Sequence, residues 1–167
     1  MLLRVASILA LFWVVLARAL GPSDLWDQTQ PKTVSYTTDI LVHGGQHWLL
    51  PIERGSLPAT KPPLYNWIAV PFVKARGFSS EFAHKFPSIF ALCACWLVIV
   101  RLGRWLDRDG DGSVGWLAGL AFVSNYTIFK LGFLARPDML LTLWMLLAWI
   151  AGTAALMGAR TNSANES

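Results

Sequence analysis

Charged residues are scarce in this 167-residue chain, where Asp, Glu, Lys and Arg make up 14% of the total, against about 25% in soluble domains. The 14 Lys and Arg residues are scattered without a basic run, which argues against nucleic acid as a partner. Only two cysteines are present, Cys93 and Cys95, two positions apart in an apolar run. Helical side chains at that spacing do not face each other, so we expect neither a disulfide nor a metal site from them.

Hydrophobic residues dominate instead, at 54% of the chain with nine Trp and nine Phe, and the mean hydropathy is +0.46. Four apolar runs approach the length of about 20 residues that a membrane-spanning helix needs. The sequence therefore predicts an all-α, polytopic membrane protein with about four transmembrane helices. We place the spans at residues 2–20, 82–106, 114–133 and 138–157.

The first apolar run allows two interpretations. Its uncharged part, residues 5–17, has the length of a signal-peptide core, and Ala17-Arg18-Ala19 resembles a cleavage site. Because Arg18 can extend its side chain to the membrane interface, we favour an uncleaved first helix.

Residues 21–81 form a large polar first loop, which we place on the extracytoplasmic side and in which we expect short amphipathic helices. Residues 161–167 are polar and have the composition of a disordered tail.

Within the first loop, the run A-T-K-P-P-L-Y-N-W at residues 59–67 is the most informative. Two prolines fix the backbone after Lys61 in an extended form. Tyr65 and Trp67 prefer the boundary between lipid and water, so we interpret them as an interfacial anchor beside the Lys61 cation. The alternative is an ordinary loop that leads into an amphipathic helix, with Lys61 merely solvated.

The turn before the fourth span is the second informative stretch. Pro137 suits the first position of a helix, and Asp138 then lies in the first turn, where the helix dipole favours a carboxylate. Arg136 is placed either to pair with Asp138 or to bind an anion. In the predicted topology this turn shares a membrane face with the first loop. The acids Asp27 and Asp138 would then meet the cations Lys61 and Arg136 at one interface. Ordinary capping and snorkelling residues would form the same pattern.

The order of these motifs resembles the amino-terminal part of the GT-C superfamily of polyprenyl-phosphate-dependent glycosyltransferases. The nearest similarity is to families 39 and 83, which include the aminoarabinose transferases and relatives of the protein O-mannosyltransferases. It rests on H-W-L-L-P at 47–51, K-P-P-L-Y-N-W at 61–67 and A-R-P-D-M at 135–139. The resemblance covers about residues 1–155 and assigns residues 1–160 to such a domain.

The resemblance implies transfer of a sugar from a polyprenyl phosphate to a hydroxyl on lipid, glycan or protein, at the outer face of a bacterial inner membrane. Membrane lipids and the lipid-linked sugar would be its partners. Asp27 matches the family's candidate base, with Asp39 as the fallback and Asp138 as the second acid. Lys61 matches the lysine that contacts the donor phosphate, and Arg136 is a second candidate for that phosphate.

Two departures from the family pattern affect these expectations. Some members bind a divalent metal through a Glu before the lysine, but Thr60 occupies that position here, so we assign no metal ligand and leave the cofactor open. Family members also continue with many more spans, so we expect this chain to be a truncated copy. The alternative is a non-catalytic four-span membrane protein that acts as an assembly or interaction partner.

Overall fold

The structure is a computed structural model that describes residues 1–25, 29–53, 55–107 and 110–165, with side chains described as far as residue 156. Within these ranges it is mostly helical, as predicted. The α-helices are α1 (Leu2–Ala19), α2 (Gln30–His43), α3 (Leu64–Arg76), α4 (Glu81–Leu106), α5 (Ser113–Val123), α6 (Tyr126–Leu131) and α7 (Asp138–Asn165). A 3-10 helix (Gly45–Trp48) follows α2, and β1 (Ile52–Glu53) pairs antiparallel with β2 (Leu57–Pro58).

Among the described residues, three helices are long and apolar enough to cross a membrane: α1, α4, and α7 over Asp138–Leu156. They correspond to the first, second and fourth predicted spans. Helix α4 begins where Ser80 caps it by accepting a hydrogen bond from the Ala83 N–H. Helix α7 continues to Asn165. Residues 161–165, which have the composition of a disordered tail, are therefore helical.

The third predicted span, residues 114–133, is interrupted in the structure. Helix α5 ends at Val123, and its 11 residues rise only about 17 Å, against a hydrocarbon core of about 30 Å. Asn125 has an extended backbone, and its side chain accepts a hydrogen bond from the Thr127 N–H at 2.8 Å, which starts the short helix α6. Asn125, which lies inside the third predicted span, is therefore a helix cap.

Helix α4 is the centre of the packing, with α1, α3, α5 and α7 around it. Its buried residues Leu92 and Cys95 share a hydrophobic core with Val14 of α1, Val123 of α5 and Met139 of α7. Helix α3 fixes the first loop to this core because its buried face packs on α4 and α2.

Tyr65, predicted as an interfacial anchor, lies in the hydrophobic core, where only 2% of it is exposed. Its hydroxyl donates to the His84 carbonyl at 2.9 Å and lies 3.2 Å from Ser88 Oγ. Burial raises the pKa of the Tyr65 hydroxyl, so this group stays protonated and serves as a buried link between α3 and α4.

Candidate functional site at one end of the helix bundle

Charged side chains collect where α1 ends and α4 begins. Arg18 lies in the last turn of α1, and Glu81 and Lys85 lie one turn apart on α4. Because residues four apart share a face of a helix, Glu81 and Lys85 both reach Asp24, which follows α1. We call Arg18, Asp24, Glu81 and Lys85 the Lys85 cluster.

Lys85 is almost fully buried, with 2% of its side chain exposed. Its ammonium donates hydrogen bonds to Asp24 and Glu81, and Arg18 Nη2 lies 2.6 Å from Asp24 Oδ2. The ring of Phe133 lies 5.3 Å from Lys85 Nζ, which adds a cation–π contact. Two cations thus share two carboxylates, so the charges of the cluster balance.

The pKa of Asp24 is lowered in this setting. Burial by itself would raise it, but the hydrogen bonds and charges of Lys85 and Arg18 outweigh burial and favour the carboxylate. A carboxyl group with a lowered pKa stabilises the fold above its ordinary pKa and loses that contribution as the pH falls through its folded value.

We therefore predict that acid weakens the fold partly through Asp24. In detergent, the free energy of unfolding should fall as the pH is lowered from about 5 to about 2. The decrease should be smaller in the Asp24→Asn variant than in the parent chain. Chemical unfolding at a series of pH values measures both curves. The two curves should diverge as the pH falls through the folded pKa of Asp24, and parallel curves would contradict the prediction.

A second link connects the cluster to the turn before α7. The Gln30 side chain donates to the Asp24 carbonyl at 2.6 Å and accepts from the Ala135 N–H at 2.8 Å. Ser88 of α4 donates to the Leu134 carbonyl at 2.5 Å. These bonds hold the Arg136–Asp138 turn at the same end of the bundle as the Lys85 cluster.

In that turn, Arg136 and Asp138 pair with each other. Arg136 Nε lies 2.8 Å from Asp138 Oδ2, and 35% of the Asp138 side chain remains exposed. Asp138 also lies in the first turn of α7. Of the two predicted roles of Arg136, the structure shows the pairing with Asp138.

No family model, curated protein or solved structure matches this chain. Its function is therefore inferred from the chemistry of its own residues. The charged end of the bundle brings cations and carboxylates together as ion pairs.

The other predicted site residues are not brought into this group. Lys61 is exposed and forms no ion pair with a carboxylate of the described ranges. Trp67 is partly exposed, and its Nε1 donates to the Trp48 carbonyl at 2.6 Å. Asp27 lies outside the described residues. Thr60, which occupies the metal position of the resembled family, is exposed.

Asp39, the fallback acid, has its own set of partners. Its Oδ1 lies 2.9 Å from His43 Nδ1, and its Oδ2 lies 2.7 Å from His47 Nδ1 and accepts from the Ile52 N–H at 2.7 Å. Burial alone would raise the pKa of Asp39, but the Ile52 N–H and the histidines together lower it. Neither histidine was predicted as a partner of Asp39, although the four-residue spacing from Asp39 to His43 to His47 was visible.

The role of Lys85 was also not predicted. The only local signal was Glu81 four residues before it, on one helix face. Nothing local points to Asp24, which lies 61 positions away in the chain.

Proposed function

We propose that this chain is a multi-pass membrane protein of the polyprenyl-phosphate-dependent glycosyltransferase type. The observation that supports it is the gathering of cations and carboxylates at one end of the candidate spans. In this proposal α5 and α6 together form a fourth crossing, broken at Asn125, in a bacterial inner membrane. The first loop then faces the outer side.

The transfer itself needs a proton acceptor and a group that holds phosphate. A carboxylate removes the proton of the acceptor hydroxyl, whose oxygen bonds to the anomeric carbon while the bond from that carbon to the phosphate oxygen breaks. The leaving group is the polyprenyl phosphate, which a cation stabilises. Asp27 and Asp138 are the candidate carboxylates for this step, with Asp39 as the fallback.

Lys61 is the better candidate for the phosphate. Arg136 already faces Asp138, and Lys85 is buried between two carboxylates. Lys61, in contrast, is exposed immediately before Pro62 and Pro63, which limit the conformations of the segment.

We predict that the purified full chain in nanodiscs binds undecaprenyl phosphate more tightly than undecaprenol, which lacks the phosphate. Lys61→Ala should weaken binding of the phosphate lipid by roughly tenfold and leave undecaprenol binding unchanged, since one charge-assisted contact contributes about 1.5–3 kcal/mol. Quenching of tryptophan fluorescence by spin-labelled versions of both lipids measures the affinities.

Lys74→Ala is the matched control, because Lys74 is also exposed and lies on α3. It should bind both lipids as the parent chain does. Equal affinity for the two lipids would contradict the proposed function. An equal loss from Lys61→Ala and Lys74→Ala would indicate nonspecific charge attraction and remove the assigned role of Lys61.

One observation favours the non-catalytic alternative. Several charged groups already have partners, including Lys85, Asp138 and Asp39, and α7 exposes the large side chains of Trp144, Met145 and Trp149. An assembly partner would use such a face against another membrane protein. This alternative predicts no preference for the phosphate lipid, so the same binding experiment separates the two proposals.

A further inference from the structure

Asp39, His43 and His47 bring three metal-binding side chains to one point. One ligand atom from each lies within 4.8 Å of the other two. The two carboxylate–imidazole separations are 2.9 and 2.7 Å. Ligands bound about 2.0–2.1 Å from a common ion lie about 3 Å apart, so small shifts of the imidazoles would make room for an ion.

The backbone builds this arrangement from two elements. Asp39 and His43 are four residues apart on α2 and therefore share a face. Gly44 and Gly45 follow with positive φ angles of 62° and 50°, which glycine adopts readily. These residues reverse the chain, so that His47 of the 3-10 helix stacks on His43 with ring centroids 4.9 Å apart.

The surroundings hold the ligands in place and leave them accessible. Asp39 is 8% exposed on its side chain and is fixed by the Ile52 N–H, whereas His43 and His47 are 57% and 28% exposed. The hydrogen bond from Trp67 to the Trp48 carbonyl ties the end of the 3-10 helix to α3. An ion would thus meet a rigid carboxylate and two adjustable imidazoles that solvent can reach.

We propose that Asp39, His43 and His47 form a binding site for a divalent transition-metal ion of the zinc class. Two imidazole nitrogens and one carboxylate suit Zn²⁺ and its neighbours, whereas Ca²⁺ and Mg²⁺ require mainly oxygen ligands. Three protein ligands leave a coordination position for water or another ligand, as in catalytic rather than closed structural sites. The site is separate from Thr60 and does not depend on the proposed sugar transfer.

The test uses the full chain in detergent, purified with a tag that contains no histidine. Zn²⁺ should bind with a stoichiometry of one and displace Co²⁺, whose visible d–d absorption reports coordination by nitrogen and oxygen. His43→Ala and His47→Ala should each weaken Zn²⁺ binding by at least roughly tenfold, and Mg²⁺ should not compete. Gln46→Ala is the matched control, because Gln46 is exposed on the same 3-10 helix and supplies no ligand.

His43 is the most informative position because its exposed side chain can be removed with little risk to the fold. Circular dichroism of each variant checks this, and Asp39→Asn serves as a third variant. Absence of stoichiometric Zn²⁺ binding by the parent chain would overturn the proposal, and the group would then be a hydrogen-bonded cluster only. Unchanged affinity in both histidine variants would also overturn it, because the ion would then lie elsewhere.

Discussion

Replacing Lys85 by alanine is expected to lower the free energy of unfolding by about 3 kcal/mol, because removal of one partner leaves buried charge uncompensated. Asp24 and Glu81 would face each other with only Arg18 to balance them. The expected loss is at the lower end for such changes because the side chains of Asp24 and Glu81 are 24% and 28% exposed. The cavity left by the lysine stem adds to the effect.

Unfolding in mixed micelles of increasing SDS content measures this change. Lys74→Ala removes an equally long but exposed cation and should change stability by less than about 0.5 kcal/mol. A Lys85→Met, Glu81→Gln double variant should recover part of the loss, since replacing both members of a buried pair costs less than replacing one. A loss below about 1 kcal/mol for Lys85→Ala would show that the pairing contributes little.

The long helices could be predicted from the sequence because each is a continuous apolar run with a recognisable start. Pro137 before Asp138 indicated the beginning of α7. Such signals are local, since capping and hydropathy depend on neighbouring residues. The break at Asn125 was not predicted because the same residue type fits both a polar position within a span and a helix cap.

The candidate site was predictable only in part, for a related reason. The pairing of Arg136 with Asp138 is a contact between near neighbours and was one of the two expected outcomes. The contacts of Lys85 with Asp24 and of Gln30 with Ala135 join distant parts of the chain and depend on tertiary packing. Tyr65 shows the same limit, because its amphipathic side chain suits an interface as well as a core in which its hydroxyl finds a partner.

Close packing of α5 against α4 depends on glycine. The buried face of α5 contains Gly115 and Gly119, four residues apart, a spacing that lets membrane helices approach closely. A Cβ atom at Gly115 would lie 2.3 Å from the Val100 carbonyl oxygen and 2.7 Å from the Arg104 backbone nitrogen, both of α4. Because backbone atoms cannot rotate away, Gly115→Ala should force the two helices apart.

We expect Gly115→Ala to lower the free energy of unfolding by about 3 kcal/mol, at the upper end for overpacked sites. Gly152→Ala on α7 is the matched control, since a Cβ there meets no atom within 4 Å, and it should stabilise the helix by up to about 1 kcal/mol. The fluorescence of Trp96 and Trp116, whose rings lie 6.0 Å apart across this interface, should change only in the Gly115 variant.

Because the two substitutions add the same methyl group to apolar helices, opposite signs of their effects on the free energy of unfolding would show that helix contact, and not helix propensity, makes glycine necessary at position 115. Equal effects would mean that α5 can move away from α4 at little cost, and the two helices would then not form a rigid support for the charged end of the bundle.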